Sequence, residues 1–111
     1  MKTFEIYENI DYNGNDSEKV SLGYIRAKNI TTASKRALKE YLTKEQRKDK
    51  IVSISDSDIN SYTFETKFFD ENGNKLEDYE QFDEDNMSFE SHELVIELIP
   101  DIDNNNQVST E

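Results

Sequence analysis

The stretch from residue 70 to residue 90 carries the strongest charge bias of the chain, with nine carboxylates against Lys75 alone. A block of one sign repels itself and gains little by packing, so it serves either solubility or attraction to a basic partner. Tyr79, Phe82 and Phe89 are interleaved with the acids. These rings favour a partner, because a segment that only solvates has no use for them.

Length and composition predict one folded domain. The chain has 111 residues and a hydrophobic content of 33%, which is low for a globular protein, but six Phe, six Tyr and clear periodic segments place it above the disordered class. We expect a single α+β domain over residues 1–100. The end of the chain, residues 101–111, has little to bury and is expected to be disordered.

The net charge of −12 argues against direct binding of DNA, RNA or an anionic membrane by the protein as a whole. Its natural counterpart is a basic protein surface. The sequence shows no signal peptide and no membrane span, so we expect a cytoplasmic protein. The lack of cysteine removes disulfides, thiolate chemistry and Cys-ligated zinc, and no cofactor or metal is expected.

The first part of the chain predicts a β-hairpin with a bulge. Apolar and polar residues alternate from Thr3 to Ile10, turn formers surround Asn13 and Gly14, and the alternation resumes afterwards. Gly23 stands where this second alternation shifts by one residue, which indicates a β-bulge that redirects the end of the strand.

An amphipathic pattern then predicts one main helix over about residues 32–46, capped by Thr31 or Thr32. The outward side of this helix is basic, within a region, residues 26–50, that holds nine basic and three acidic residues. A charged face of this kind is usually only solvated.

Three further strands are predicted, over residues 51–54, 62–68 and 94–99, with a polar turn over residues 55–61. Pro100 ends the last of them. Because both faces of that last strand are apolar, we expect it at the centre of the sheet.

The predicted order is therefore β-β-α-β-β-β, an α+β fold in which one helix packs on one face of a mostly antiparallel sheet of about five strands. The core is expected to contain the strand residues that share a face with the apolar helix stripe. These residues are Phe4, Ile6, Val20, Leu22, Ile54, Phe64, Leu94 and Ile96.

The catalytic and metal-binding patterns that we considered are incomplete. Asp56 and Asp70 each open a run that resembles a calcium loop, but both runs lack the glycine and glutamate that an EF-hand needs at its sixth and twelfth positions. His92 is the only histidine and is expected at a surface or a strand edge. Glu77 and Glu80 have no predicted pocket that would separate their pKa values. The sequence therefore predicts a binding protein and not an enzyme.

The acidic stretch has a spacing that suits a basic groove. Carboxylates on one face of a β-strand lie about 6.6 Å apart, close to twice the roughly 3.4 Å between phosphates along a DNA strand. Such acids can occupy the positions of phosphates, while the neighbouring rings supply buried anchors.

In its small size, lack of cysteine, negative charge and sheet-plus-helix body, the chain resembles the phage-encoded inhibitors known as anti-CRISPR proteins and other DNA mimics. The resemblance is one of class and is carried by residues 70–90 and the overall charge. It implies an inhibitor that blocks a nucleic-acid-binding effector. The basic helix departs from a uniformly acidic mimic and favours a binder with one acidic face.

The leading prediction is thus a non-catalytic inhibitor that occupies the basic nucleic-acid site of its partner. Its predicted partner-binding residues are Asp70, Glu71, Glu77, Asp78, Tyr79, Glu80, Phe82, Asp83, Glu84, Asp85 and Phe89. An alternative is a small adaptor or assembly domain that pairs through a sheet edge, with the acids serving solubility. A third hypothesis assigns a nucleic-acid contact to basic residues, namely Lys35, Arg36, Lys39, Arg47, Lys48 and Lys50.

Overall fold

The computed structural model describes residues 1–48, 57–77, 83 and 85–100. Within them the chain forms a four-stranded antiparallel sheet and one main helix, which confirms the α+β class. The elements are β1 (Lys2–Tyr12), β2 (Asp16–Ala27), α1 (Ile30–Tyr41), α2 (Lys44–Arg47), β3 (Ile59–Phe69) and β4 (Ser88–Leu98). About five strands were predicted. The third of these, residues 51–54, lies outside the described residues, as does the predicted tail.

The strands are arranged in the order β2-β1-β4-β3, so β1 and β4 are the central strands, as predicted for β4. Tyr12, near the end of β1, pairs with Asp16 at the start of β2 and with Glu90 at the start of β4. The β1–β2 turn and the connection from β3 to β4 therefore lie at the same end of the sheet. The α1 helix packs toward the other end, where Phe4 pairs with Ile25 and Leu98.

The β1–β2 hairpin is confirmed. Asn13 and Gly14 have φ angles of 56° and 74°, and the Asn15 N–H donates to the Tyr12 carbonyl at 3.0 Å. Positive φ at both central positions matches the twist of the two strands, and Asn and Gly are the residues that adopt it most readily.

The predicted bulge is also confirmed. Ile6 pairs with Gly23 and Tyr7 pairs with Ser21, so Leu22 is the extra residue of β2. The register shift changes which later residues of β2 face the helix.

As a consequence, the expectation that Val20 and Leu22 belong to the core is wrong. Each is 38% exposed, whereas Ile25 and Ala27 are buried. Val20 pairs with Glu8, beyond the part of the sheet that α1 covers. The helix is about 18 Å long and the strands about 36 Å, so apolar residues on the far half of the sheet have no helix above them.

The helix begins and ends differently from the prediction. Its N-cap is Asn29, whose side-chain oxygen accepts the Thr32 N–H at 2.8 Å, and neither Thr31 nor Thr32 is the cap. The predicted single helix is broken after Tyr41. Thr43 begins α2 with a capping box, in which it exchanges hydrogen bonds with Gln46. An N-cap residue has extended backbone, which is incompatible with a continuous helix through that position.

The core lies between α1 and the adjacent half of the sheet. Its buried members are Phe4, Ile6, Ile25, Ala27, Ile30, Ala33, Ala37, Leu38, Leu42, Leu94 and Ile96, with Tyr41, Tyr62, Phe64 and Leu98 packed against them. Ser34 is fully buried on the helix, and its hydroxyl accepts a hydrogen bond from the Asn60 amide at 2.9 Å. Four members of the predicted core are thus buried, Phe64 is partly buried, and Ile54 lies outside the described residues.

Gly23→Ala tests the bulge. Gly23 has φ 152°, and an added Cβ would stand 2.9 Å from the Tyr41 hydroxyl oxygen. We expect the free energy of unfolding to fall by about 1–3 kcal/mol, mostly from the backbone conformation, because a tyrosine ring can shift. Urea unfolding followed by circular dichroism measures it. In the double variant with Tyr41→Phe the loss should remain; its full recovery would assign the effect to the steric contact instead.

Candidate functional site

Two turns meet at the end of the sheet that α1 leaves uncovered. The Asn13 N–H donates to the Phe89 carbonyl at 3.1 Å, and the Phe89 N–H donates to the Asn13 side-chain oxygen at 2.8 Å. These bonds hold the β1–β2 turn against the start of β4. Acidic residues that are far apart in the sequence are thereby brought to one end of the molecule.

We call this region the acidic end. Its described carboxylates are Asp11, Asp16, Glu18, Asp70, Glu71, Glu77, Asp83, Asp85 and Glu90. Lys67 and Lys75 are the lysines in the described part of the β3–β4 hairpin, and Lys67 lies 3.9 Å from Glu65. The predicted site contains only acids after position 69. The three acids of the β1–β2 hairpin are absent from it, because the long-range pairing of β1 with β4 leaves no local signal in the sequence.

Two predicted site residues organise their own turns. One Asp70 side-chain oxygen accepts the N–H groups of Asn72 and Asn74, both at 2.9 Å. These backbone hydrogen bonds, that of Asn74 above all, lower the pKa of Asp70 below its ordinary value. Asp83 similarly accepts the Asp85 N–H at 3.1 Å. Both carboxylates lie at the surface and fix their loops through these hydrogen bonds.

Three other predicted site residues are exposed and make no side-chain hydrogen bond or ion pair within the described part of the chain. They are Glu71, Glu77 and Asp85. Their carboxylates are therefore available to a partner. The remaining acidic predictions, Asp78, Glu80 and Glu84, lie outside the described residues.

Of the three predicted aromatic anchors, Phe89 is described. It is half-buried on β4, on the sheet face opposite α1, where its ring centroid lies 6.3 Å from that of Phe68. The two rings form a small apolar patch beside the acidic end. Tyr79 and Phe82 lie outside the described residues.

The face of the sheet opposite α1 is also rich in carboxylates. Glu5 and Glu97 are direct cross-strand partners, a like-charged arrangement that is unfavourable by itself. Lys19 lies 3.1 Å from Glu5, and the Tyr7 hydroxyl donates to Glu97 at 2.8 Å. Burial and this bond, with nearby Glu93, raise the pKa of Tyr7 to about 12, so the phenol remains a hydrogen-bond donor at neutral pH.

His92 is placed differently from the prediction. It is 8% exposed on the central strand β4, because it shares the helix-side face with Leu94 and lies under neighbouring side chains. Its Nδ1 lies 2.5 Å from Glu8 and its Nε2 lies 3.1 Å from Glu90, so both ring nitrogens face carboxylates. Burial alone would lower the pKa of His92, but the two hydrogen bonds outweigh it and the pKa is raised.

The His92 cluster is a structural charge centre at the base of the acidic end. When His92 is protonated, its ring donates a hydrogen bond to each carboxylate and neutralises part of the charge of Glu8 and Glu90, which would otherwise repel each other. Within the described residues, no group of three or more His, Cys, Asp and Glu side chains has a geometry that would hold a metal ion.

The outward side of α1 carries the opposite charge. We call Lys35, Arg36 and Lys39 the basic helix face; all three are exposed. Arg36 is engaged locally, with the Arg26 carbonyl at 2.8 Å and Glu40 at 3.8 Å. Lys35 and Lys39 have no ion-pair partner among the described residues.

The other basic candidates are committed elsewhere. The Arg47 guanidinium donates to the Leu42 carbonyl at 2.9 Å and so closes the end of α1, and Lys48 lies 3.2 Å from Glu45. Lys50 lies outside the described residues. Among the described members of the predicted basic set, only the side chains of Lys35 and Lys39 have no ion-pair or hydrogen-bond partner.

The described part of the chain has a small cleft away from the acidic end. It measures about 120 Å³, lies at the start of α1, and has Lys2 and Asp58 as its ionisable lining residues. Ligand pockets are usually about 300–1,000 Å³, so this cleft is small for a substrate site. None of the described helices has the length and apolar character needed to cross a membrane.

Comparison with known proteins assigns no relative: no protein-family model, no curated protein and no solved structure matches the chain.

The His92 cluster predicts a specific pH dependence of stability. The pKa of His92 is raised in the folded state above its ordinary 6.5, so its stabilising contribution is complete below that value and is lost as pH rises through the folded-state pKa. Urea unfolding from about pH 6 to about pH 9 should show wild type more stable than His92→Gln at the acidic limit. The difference should shrink toward the alkaline limit.

Glu40→Gln, an exposed change on α1, is the matched control for this pH series and should follow the wild-type profile. A constant difference between wild type and His92→Gln across the whole pH range would contradict the charged state assigned to His92.

Proposed function

We propose that this protein is a non-catalytic inhibitor whose acidic end binds a basic nucleic-acid-binding protein and occupies its nucleic-acid site. The observation that carries the proposal is that the acids of the β1–β2 hairpin and those of the β3–β4 connection lie at one end of the sheet, where the Asn13–Phe89 hydrogen bonds hold the β1–β2 turn against the start of β4. This convergence concentrates nine described carboxylates at one end of a rigid sheet. A preorganised surface of this kind loses less entropy on binding than a mobile acidic segment does.

The spacing of the acids supports phosphate mimicry. Asp16 and Glu18 are two residues apart at the start of β2, so they share a face and lie about 6.6 Å apart, about twice the interval between phosphates on a DNA strand. The loop acids Glu71, Glu77 and Asp85 lie beyond the strand ends. The two β2 acids form a row of anions and the loop acids form a cluster, and Arg and Lys side chains of a basic groove can bind both.

The aromatic residues give the surface a component that simple solubility does not need. The Phe68 and Phe89 rings lie beside the carboxylates on the face opposite α1. Aromatic side chains at the centre of an interface commonly carry much of its binding energy, while charges set its orientation and rate of association. The proposed binding surface combines aromatic rings with charged side chains.

The class resemblance to anti-CRISPR proteins and DNA mimics agrees with this proposal. On that reading the protein is phage-encoded and acts in the cytoplasm of a host cell, its partner is a nucleic-acid-binding effector, and it needs no cofactor. The charge bias of residues 70–90 and the net charge of −12 support the reading.

Neutralising the free carboxylates is the direct test. We expect Glu71→Gln, Glu77→Gln and Asp85→Asn together to weaken binding to the captured partner by roughly tenfold or more, because each removes a charge that the fold does not use. The partner is first captured from lysate on immobilised wild-type protein and eluted with salt. Glu40→Gln with Glu45→Gln, on the helices, is the control and should bind as wild type does.

The mechanism requires competition with nucleic acid and sensitivity to salt. Wild-type protein should displace a labelled oligonucleotide from the captured partner, and the triple variant should not. Affinity should fall steeply between about 0.1 M and about 1 M salt, where the screening length shortens from about 10 Å to about 3 Å. Simultaneous binding of the oligonucleotide and this protein, or an affinity independent of salt, would refute the proposal.

A second candidate function is an adaptor that associates through a sheet edge, and the exposure of β2 favours it. This edge strand exposes Val20, Leu22 and Tyr24, the last by 59%. Unpaired strand edges can add a strand from another chain. The bulge at Leu22 and the charge of Lys19 are features that oppose such pairing.

Leu22→Lys distinguishes the two functions. If the edge is the binding surface, the added charge should abolish association, whereas binding through the acidic end should change less than about twofold because Leu22 lies outside that footprint. Size-exclusion chromatography and partner capture with the same variant give the two readouts. Loss of partner capture with intact folding would favour the adaptor.

A further inference from the structure

The basic helix face has no function in the proposal above. Arg36 pairs with Glu40, whereas Lys35 and Lys39 are exposed, lie one helical turn apart, and have no described carboxylate within ion-pair distance. The Cβ atoms of residues four apart on a helix lie about 5–6 Å from each other, and like charges at this spacing are unfavourable. Within the described part of the molecule, no carboxylate compensates these two lysines.

The acidic end of the same molecule does not supply the match. The α1 helix packs against the half of the sheet that contains Phe4 and Ile25, whereas the acidic end begins near Tyr12. Tyr12 follows Phe4 by eight positions in β1, so their Cα atoms lie about 26 Å apart along the extended strand. No ion pair among the described residues joins the two surfaces. Complementary charges are therefore held apart by the length of the sheet.

A second copy of the chain removes this separation. The basic surface lies on the outward side of α1, over one half of the sheet, and the acidic surface lies at the opposite end, so a neighbouring copy can bring unlike surfaces together. The net charge of −12 opposes association at low ionic strength. At about 0.15 M salt the screening length is about 8 Å, which weakens repulsion between remote charges more than attraction between charges in contact.

We propose that the basic helix face of one copy binds the acidic end of another, in a head-to-tail contact between Lys35 and Lys39 and the loop acids Glu71 and Glu77. Contacts between two different surfaces of identical chains can repeat and so extend beyond a dimer. The contact covers the acidic end, so a self-associated copy would not bind a basic partner through it. Assembly and partner binding are then mutually exclusive uses of one surface.

Two neutralised variants separate this contact from a general effect of charge. Lys35→Gln with Lys39→Gln makes the net charge more negative, while Glu71→Gln with Glu77→Gln makes it less negative. If only net charge governed association, the second variant would associate more than wild type. The proposed contact predicts that both associate less, by roughly fivefold to tenfold each, because each loses one side of the same interface. Sedimentation velocity of the full chain at about 0.15 M salt measures this.

Ser61→Glu with Thr66→Glu is the matched control for the lysine variant. Both residues are exposed on the edge strand β3, and the two changes shift the net charge by the same amount as the loss of two lysines. This control should associate nearly as wild type does. An equal loss in the control would show that net charge, and not the basic helix face, governs association.

A mixture of two charge-reversed variants provides the decisive test. Lys35→Glu with Lys39→Glu puts acids on both sides of the proposed contact, and Glu71→Lys with Glu77→Lys puts lysines on both sides, so neither should self-associate through it. Mixed in equal amounts, they should form complexes, since every contact between unlike variants is complementary. Carbodiimide cross-linking of wild type should join Lys35 or Lys39 of one copy to Glu71 or Glu77 of another.

Three outcomes overturn the proposal. Wild-type protein that stays monomeric at every concentration tested has no such contact. Association that survives both lysine changes but is lost in Leu22→Lys belongs to the sheet edge. Binding of a short single-stranded RNA that is lost with Lys35→Glu and Lys39→Glu, without self-association, assigns the basic helix face to nucleic acid.

Discussion

The antiparallel pairing of β1 with both β2 and β4 determines where the charges of this protein lie. Because Tyr12 pairs with Asp16 on one side and with Glu90 on the other, two turns from distant parts of the sequence must share one end of the sheet. The Asn13–Phe89 hydrogen bonds then join the β1–β2 turn to the start of β4. The acidic end is thus a product of strand register, and any change that slips the register of β1 would disperse it.

The second constraint is the difference in length between α1 and the strands. A helix of about 18 Å can cover only half of strands of about 36 Å, so the core forms at one end of the sheet and leaves the other end for charged residues. His92 lies on the helix-side face beyond this core, where Glu8 and Glu90 bind both nitrogens of its ring. This cluster lets carboxylates approach the core without leaving a buried charge unpaired. Segregation of the core from the acidic end therefore has a structural basis.

Within the acidic end, carboxylates of equal charge have different structural roles. Asp70 and Asp83 accept backbone N–H groups and hold their loops, so their carboxylates contribute to local structure as well as to the surface potential. The side chains of Glu71, Glu77 and Asp85 make no such hydrogen bond within the described part of the chain. Like charges close together repel each other, and the fold does not use these three, so binding to a partner offers an explanation for them. The same reasoning applies to Lys35 and Lys39 on α1.

Local patterns in the sequence by themselves determined the acidic block, the Asn13-Gly14 turn, the bulge at Gly23 and the α+β class, since each depends on neighbours or on a short period. They could not show that Val20 and Leu22 lie beyond the helix, that His92 is buried between two carboxylates, or that Asn29 caps α1. Nor could they bring Asp16 and Glu18 to the same surface as Glu71. These features were decided by the tertiary structure, because strand pairing and helix placement depend on contacts between residues far apart in the chain, and such contacts leave no periodic trace in the sequence.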